Sequence, residues 1–86
     1  MLEHLDLTGL SCPIPVLKAN KGLRRMSVGD ILVCEVTDPA APNDFEHFCA
    51  SAGHQLVSCE DRGKSWILTI ELSDESDLIR RALEKT

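Results

Sequence analysis

Leu5 and Leu7 alternate with His4 and Asp6 until Thr8-Gly9 breaks the run, and a period of two predicts a half-buried strand over residues 3–8. From Pro13 the period lengthens. Val16, Ala19, Leu23 and Met26 recur at steps of three and four, while Lys18, Lys21 and Arg25 fall elsewhere around the turn, as in an amphipathic helix. Prolines are tolerated where a helix starts, because the first amides have no intrahelical acceptor. Pro13 and Pro15 therefore fit its first turn, which places Cys12 at or near the N-cap. Val28-Gly29-Asp30 reads as a loop, and the near-continuous apolar run Ile31-Leu32-Val33-Cys34-Glu35-Val36 as a strand buried in the middle of a sheet.

Asp38-Pro39-Ala40-Ala41-Pro42 interrupts regular structure, and Asn43 followed three residues later by Glu46 has the form of a helix-capping box. A second helix is expected to start there, with Phe45, Phe48, Cys49 and Ala52 as its apolar face and Gly53 ending it in a left-handed conformation. Two apolar runs, 56–59 and 66–72, flank the charged turn Glu60-Asp61-Arg62-Gly63-Lys64, which is the pattern of a hairpin. The order β-α-β-α-β-β predicts an α+β fold, a two-layer sandwich with two helices on one face of a four-stranded mixed sheet. Its core is expected to include Val16, Leu23, Val33, Phe45, Phe48 and Leu68. Residues 1–72 are expected to form the domain. Residues 73–86 are expected to be a tail or a short helix, with Leu78, Ile79, Ala82 and Leu83 on one side after Asp74, Glu75 and Asp77.

A chain of 86 residues has room for one domain and one core, so a deep multi-substrate pocket is not expected. The formal net charge of -5 has the wrong sign for neutralising phosphates, which argues against direct, stable nucleic-acid binding. Met1-Leu2-Glu3-His4-Leu5 lacks the basic segment and long apolar run of a secretory signal. No stretch approaches the ~20 apolar residues of a membrane span. A cytoplasmic address with no membrane contact follows. Disulfides are not expected in that compartment, and Cys12, Cys34, Cys49 and Cys59 are too dispersed, with no Cys-x-x-Cys pair, to suggest a metal site.

Of the four thiols, Cys12 stands apart. A cysteine at a helix N-terminus faces unpaired amides and the positive end of the dipole, both of which favour the nucleophilic thiolate. Gly9 permits a tight strand-to-helix loop, so the sulfur is expected on an exposed, fairly rigid corner. Cys34 and Cys49 read as buried small hydrophobes, as does Cys59, although the facing of Cys59 depends on strand register. His4, His47 and His54 share no spacing that defines a metal set or a Cys-His pair. Lys18, Lys21, Arg24 and Arg25 concentrate four of the nine basic residues on the first helix, as either a solvated face or a docking patch for an acidic partner.

The stretch Asp6-Leu7-Thr8-Gly9-Leu10-Ser11-Cys12-Pro13-Ile14-Pro15 resembles the signature of the TusA-like (SirA-like) sulfur-carrier family, in which Asp, Gly and Cys-Pro-x-Pro occur at this spacing. The resemblance continues through Thr37-Asp38-Pro39-Ala40, Asp44, Phe48-Cys49 and Gly53-His54. It implies the same β-α-β-α-β-β fold and a sulfurtransferase role in which Cys12 accepts sulfane sulfur from a cysteine desulfurase or rhodanese. Pro13 and Pro15 would shape the loop, and Asp6, Gly9, Asp38 and Asp44 would support it. Members of the family serve transfer-RNA thiolation, sulfur oxidation and molybdenum-cofactor sulfur supply. Those best known for thiolation tend to carry an acidic residue at the variable motif position, where this chain has Ile14.

The resulting expectation is a carrier that needs no metal or organic cofactor: Cys12 attacks the outer sulfur of a donor persulfide, holds it as Cys12-S-SH, and yields it to an acceptor protein's thiol. Two rival readings are a non-catalytic regulatory or adaptor module and a redox sensor in which Cys12 oxidises.

Overall fold

The computed structural model describes residues 1–73. Its elements are β1 (Leu2–Leu7), α1 (Ile14–Leu23), β2 (Ile31–Val36), α2 (Ala41–Ala52), β3 (Gln55–Asp61) and β4 (Trp66–Glu71). The sheet order is β1-β2-β4-β3. β1 and β2 run parallel, joined by the α1 crossover, and β4 pairs antiparallel with both β2 and β3. This is the expected four-stranded mixed sheet with two helices. The tail or short helix expected over residues 73–86 lies, from residue 74 on, outside the described residues.

Burial alternates strictly along β2: Leu32, Cys34 and Val36 are buried, while Ile31, Val33 and Glu35 are half-buried on the opposite face. The buried set packs with Ala19 and Leu23 of α1, Phe45 and Cys49 of α2, and Leu68 and Ile70 of β4. Val33 is therefore not a core residue. It lines a shallow hollow on the other side of the sheet with His4, Asp6, Glu35 and Ile67, because a continuous apolar run still has to turn alternate side chains outward.

Both helices bury a narrower stripe than their composition suggests. In α1 it is Pro15, Ala19 and Leu23, with Val16 partly buried beside it; the helix ends before Met26, which is partly buried in the turn that follows. In α2 it is Ala41, Phe45 and Cys49, at steps of four. Phe48 is offset by one position from that stripe and is only half-buried, its ring tilted against His54 at a centroid distance of 5.8 Å.

The second helix also begins earlier than expected. Its N-cap is Ala40, Pro42 lies in the first turn, and no side chain caps it, so the Asn43–Glu46 box does not form. Asp38 organises this start instead, its Oδ1 accepting from the Ala40 amide at 2.9 Å and its backbone carbonyl accepting from the Ala41 amide at 3.0 Å. Gly53 closes the helix at φ 81°, as its position implies.

After β4 the chain stays attached through Ser73. The Gly29 amide donates to the Leu72 carbonyl at 2.8 Å, and Ser73 Oγ donates to the Gly53 carbonyl at 2.9 Å. Ser73 is buried.

Candidate functional site

Because β1 and β2 are parallel, both deliver the chain into a helix at the same end of the sheet. The β1–α1 loop carries Gly9 and Cys12, and the β2–α2 loop carries Thr37 and Asp38. Gly9 adopts φ 78°, a left-handed conformation that L side chains rarely occupy, and its amide donates to Thr37 Oγ1 at 2.8 Å. The Cys12 amide donates to Asp38 Oδ2 at 2.6 Å. Asp6, at the end of β1, accepts from both the amide and the hydroxyl of Thr8, at 3.0 and 2.6 Å. These amide and hydroxyl donors hold the Asp6 and Asp38 carboxyls below the usual range; for Asp6 the Thr8 hydroxyl is the larger cause, and for Asp38 the Ala40 amide.

Cys12 is exposed, and its Sγ donates to Asp44 Oδ2 at 2.6 Å. Asp44 lies in the first turn of α2, where a negative charge faces the positive end of the helix. Cys12 is not the N-cap of α1; Pro13 holds that position, one residue later, and the Cys12–Pro13 peptide bond is cis. The expected preference for thiolate is also reversed. The hydrogen bond to Asp44, partial desolvation, and the charges of Asp44 and Asp38 all keep the proton on sulfur and raise the thiol above its ordinary value.

The motif residues Asp6, Gly9, Cys12, Pro13, Pro15, Asp38 and Asp44 thus gather around two adjoining loops, and hydrogen bonds link Cys12 directly to Asp38 and Asp44. Lys18 and Lys21 are exposed on α1, but the helix ends at Leu23, so that Arg24 is its C-cap and Arg25 lies beyond it, both exposed as well. Lys18, Lys21 and Arg25 flank a groove of about 300 Å³ between α1 and β1, floored by Leu5, Leu7 and Gly22. Arg24 lies outside that groove. Two apolar side chains that the basic pattern obscures, Ile14 and Leu17, are also exposed in the first turns of α1, at 40% and 56%.

The other cysteines divide. Cys34 and Cys49 are buried, and desolvation pushes their thiols up to about 12 and about 11. Cys59 is exposed, contrary to the packing role expected for it. It lies on the outermost strand after a register irregularity between Leu56 and Ser58, and although it pairs opposite the buried Leu68, the edge leaves it uncovered. Among the described residues, no group of three or more His, Cys, Asp or Glu side chains is placed to hold a metal ion, and no helix is long and apolar enough to cross a membrane.

Residues 3–72 match the family model described as Sulfurtransferase TusA. Over 69 residues the chain is 44% identical to a Neisseria meningitidis protein named as a candidate sulfur carrier, covering 80% of this chain and 93% of that one. Over 71 residues it is 37% identical to the sulfur carrier protein TusA of Allochromatium vinosum, covering 83% of this chain and 93% of that one. The fold is similar to that of a SirA-like protein from Desulfitobacterium hafniense, with a TM-score of 0.73 at 24% identity over 86% of this chain and all of that one. From the order of its elements, through the two loops that meet at its exposed thiol, to the match across residues 3–72, this chain belongs to the TusA family of sulfur carriers.

Proposed function

We propose that the protein works as a sulfurtransferase of the carrier type, with Cys12 as the atom-bearing residue. Cys12 Sγ attacks the outer sulfur of a donor protein's persulfide, retains it as Cys12-S-SH, and surrenders it when an acceptor protein's thiolate attacks that outer sulfur in turn. Both steps exchange one sulfur–sulfur bond for another, so neither needs a cofactor. The donor is a cysteine desulfurase or rhodanese, and the acceptor is a second protein with a free thiol. A relay between free thiols belongs in a reducing compartment, hence the cytoplasm.

The observation that carries this reading is an exposed thiol fixed at the meeting of two loops, its amide held by Asp38 and its sulfur by Asp44. The surface of the helix that follows Cys12 suits a protein partner: Ile14 and Leu17 offer apolar contact in its first turns, and Lys18, Lys21, Arg24 and Arg25 offer charge to an acidic face.

Incubation with a cysteine desulfurase and cysteine should add the mass of one sulfur atom, removable by reductant, and Cys12→Ser should abolish the gain while remaining folded. Labile sulfur acquired by the serine variant at the wild-type rate would reject Cys12. Refusal of sulfur from every desulfurase and rhodanese donor would favour the adaptor reading.

A further inference from the structure

The proposed transfer leaves one proton unaccounted for. In the free protein the hydrogen bond to Asp44 keeps the proton on the Cys12 sulfur, and a thiol must lose its proton before or during attack on a persulfide. The exposed loop carries no histidine beside the sulfur. The group in contact with Sγ is the Asp44 carboxylate, at 2.6 Å, within the reach a general base requires. The other charged group acting on the thiol is Asp38, whose two oxygens are already engaged by the amides of Cys12 and Ala40.

We propose that Asp44 is a catalytic residue of sulfur loading, taking the Cys12 proton as the sulfur attacks. This assignment rests on the carrier reading above. As Sγ bonds to the outer sulfur of R-S-S-H, its proton passes to Asp44 Oδ2. The R-S–S bond breaks, its electron pair leaves on R-S⁻, and the proton held by Asp44 returns through solvent to give R-SH. The products are Cys12-S-SH and R-SH, and no outside oxidant or reductant enters. The same contact explains two apparently opposed properties: at rest the carboxylate suppresses the thiolate, and during attack it removes the proton in place.

Asp44 is well supported for this task. It sits one residue before the fully buried Phe45, so α2 fixes its position against the core, and it approaches the thiol from a segment 32 residues away in sequence. Asp38 holds the Cys12 amide from the preceding loop, which keeps the sulfur facing the carboxylate.

The test compares wild type, Asp44→Asn and Asp44→Glu, using a small-molecule persulfide as sulfur donor so that protein docking plays no part, with alkylation of Cys12 followed against pH in parallel. In Asp44→Asn the alkylation midpoint should move to lower pH, since the carboxylate that retains the proton is gone. Loading near neutral pH should nevertheless fall by about 10²-fold, the low end of what a positioned base contributes. Its rate should climb steeply with pH as thiolate forms, where the wild-type rate is nearly flat. Asp44→Glu should recover part of the loss.

An unmoved alkylation midpoint would overturn the contact. A lowered midpoint with loading as fast as wild type would overturn the catalytic role, leaving Asp44 as a brake alone. If Asp44→Asn does not fold, the glutamate variant decides: loading at or above the wild-type rate despite a shifted carboxylate counts against the assignment. Wild type that loads from the small persulfide and from no protein donor would instead sink the carrier reading, and the comparison of Asp44 variants would stand apart from it.

Discussion

Cys12 and Cys59 are both exposed thiols with carboxylates nearby, yet they sit in regions built on different plans. The loops around Cys12 are held by bonds between distant segments: Gly9 to Thr37, the Cys12 amide to Asp38 and the sulfur to Asp44. The β3–β4 hairpin holds itself by local contacts, with Gly63 donating to Asp61 at 2.8 Å, Arg62 pairing with Glu60 at 3.0 Å, and the Arg62 amide donating to the Ser65 carbonyl at 2.8 Å. Asp61 and Glu46 face Cys59 only as charges acting through space. Exposure therefore does not tell the two thiols apart. What separates the two cysteines is whether the fold supplies the sulfur with fixed partners.

That contrast is open to attack at several strengths. The greatest expected effect is on sulfur uptake from a desulfurase: Cys12→Ser should lose it altogether, and Cys59→Ser should match wild type, as read by intact mass against time. Comparable losses in the two variants would erase the distinction.

Stability comes next. Phe45 anchors the helix that carries Asp44 and is fully buried, so Phe45→Ala should cost about 3–5 kcal/mol in urea unfolding. Val57 on β3 is 53% exposed, and Val57→Ala should stay within about 0.5 kcal/mol. A small loss at Phe45 would mean that Asp44 is not rigidly held.

A weaker signature is acid sensitivity. Asp6 and Asp38 are held below their unfolded values, so they add stability above those values, and that stability is lost as pH falls from about 4 through the lower folded values. The urea midpoint of wild type should drop over that range, and Asp38→Asn should flatten the drop. An unchanged profile would show that Asp38 is not held by the Ala40 and Cys12 amides.

The smallest effect is in ordinary alkylation. Both exposed thiols are raised by neighbouring acids or desolvation, so their labelling should increase as pH climbs past the usual thiol value of about 8.5, while Cys34 and Cys49 remain unlabelled in the folded protein. Labelling of Cys49 at a rate near that of Cys59 would place α2 more loosely than described.

The arrangement of elements was legible in the chain because the period changes from two to near four and back where the structure changes. The motif loop was legible as well, since prolines and glycine constrain backbone locally. What could not be read was whatever depends on neighbours from elsewhere. Asn43 and Glu46 have a capping pattern, but Asp38 starts α2 earlier through its own hydrogen bonds. Val33 and Phe48 have core composition, and a strand face and a one-position helical offset turn them aside. Cys59 is uncovered by its place at the sheet edge. The acidity of Cys12 depends on distant neighbours in the same way: local helix position favours thiolate, and Asp44 of α2 with Asp38 of the loop before it outweighs that preference.

The parallel pairing of β1 with β2 has a consequence for the newly made chain. Cys12 leaves the ribosome well before Asp38 and Asp44, its partners 26 and 32 residues further on. Until the crossover closes, its thiol lacks the contact with Asp44 and the other three lack the fold that desolvates them. All four are harder to ionise once folded. The half-made chain is thus the form most exposed to stray oxidants, and completing the sheet buries two of its four sulfurs and quiets all of them.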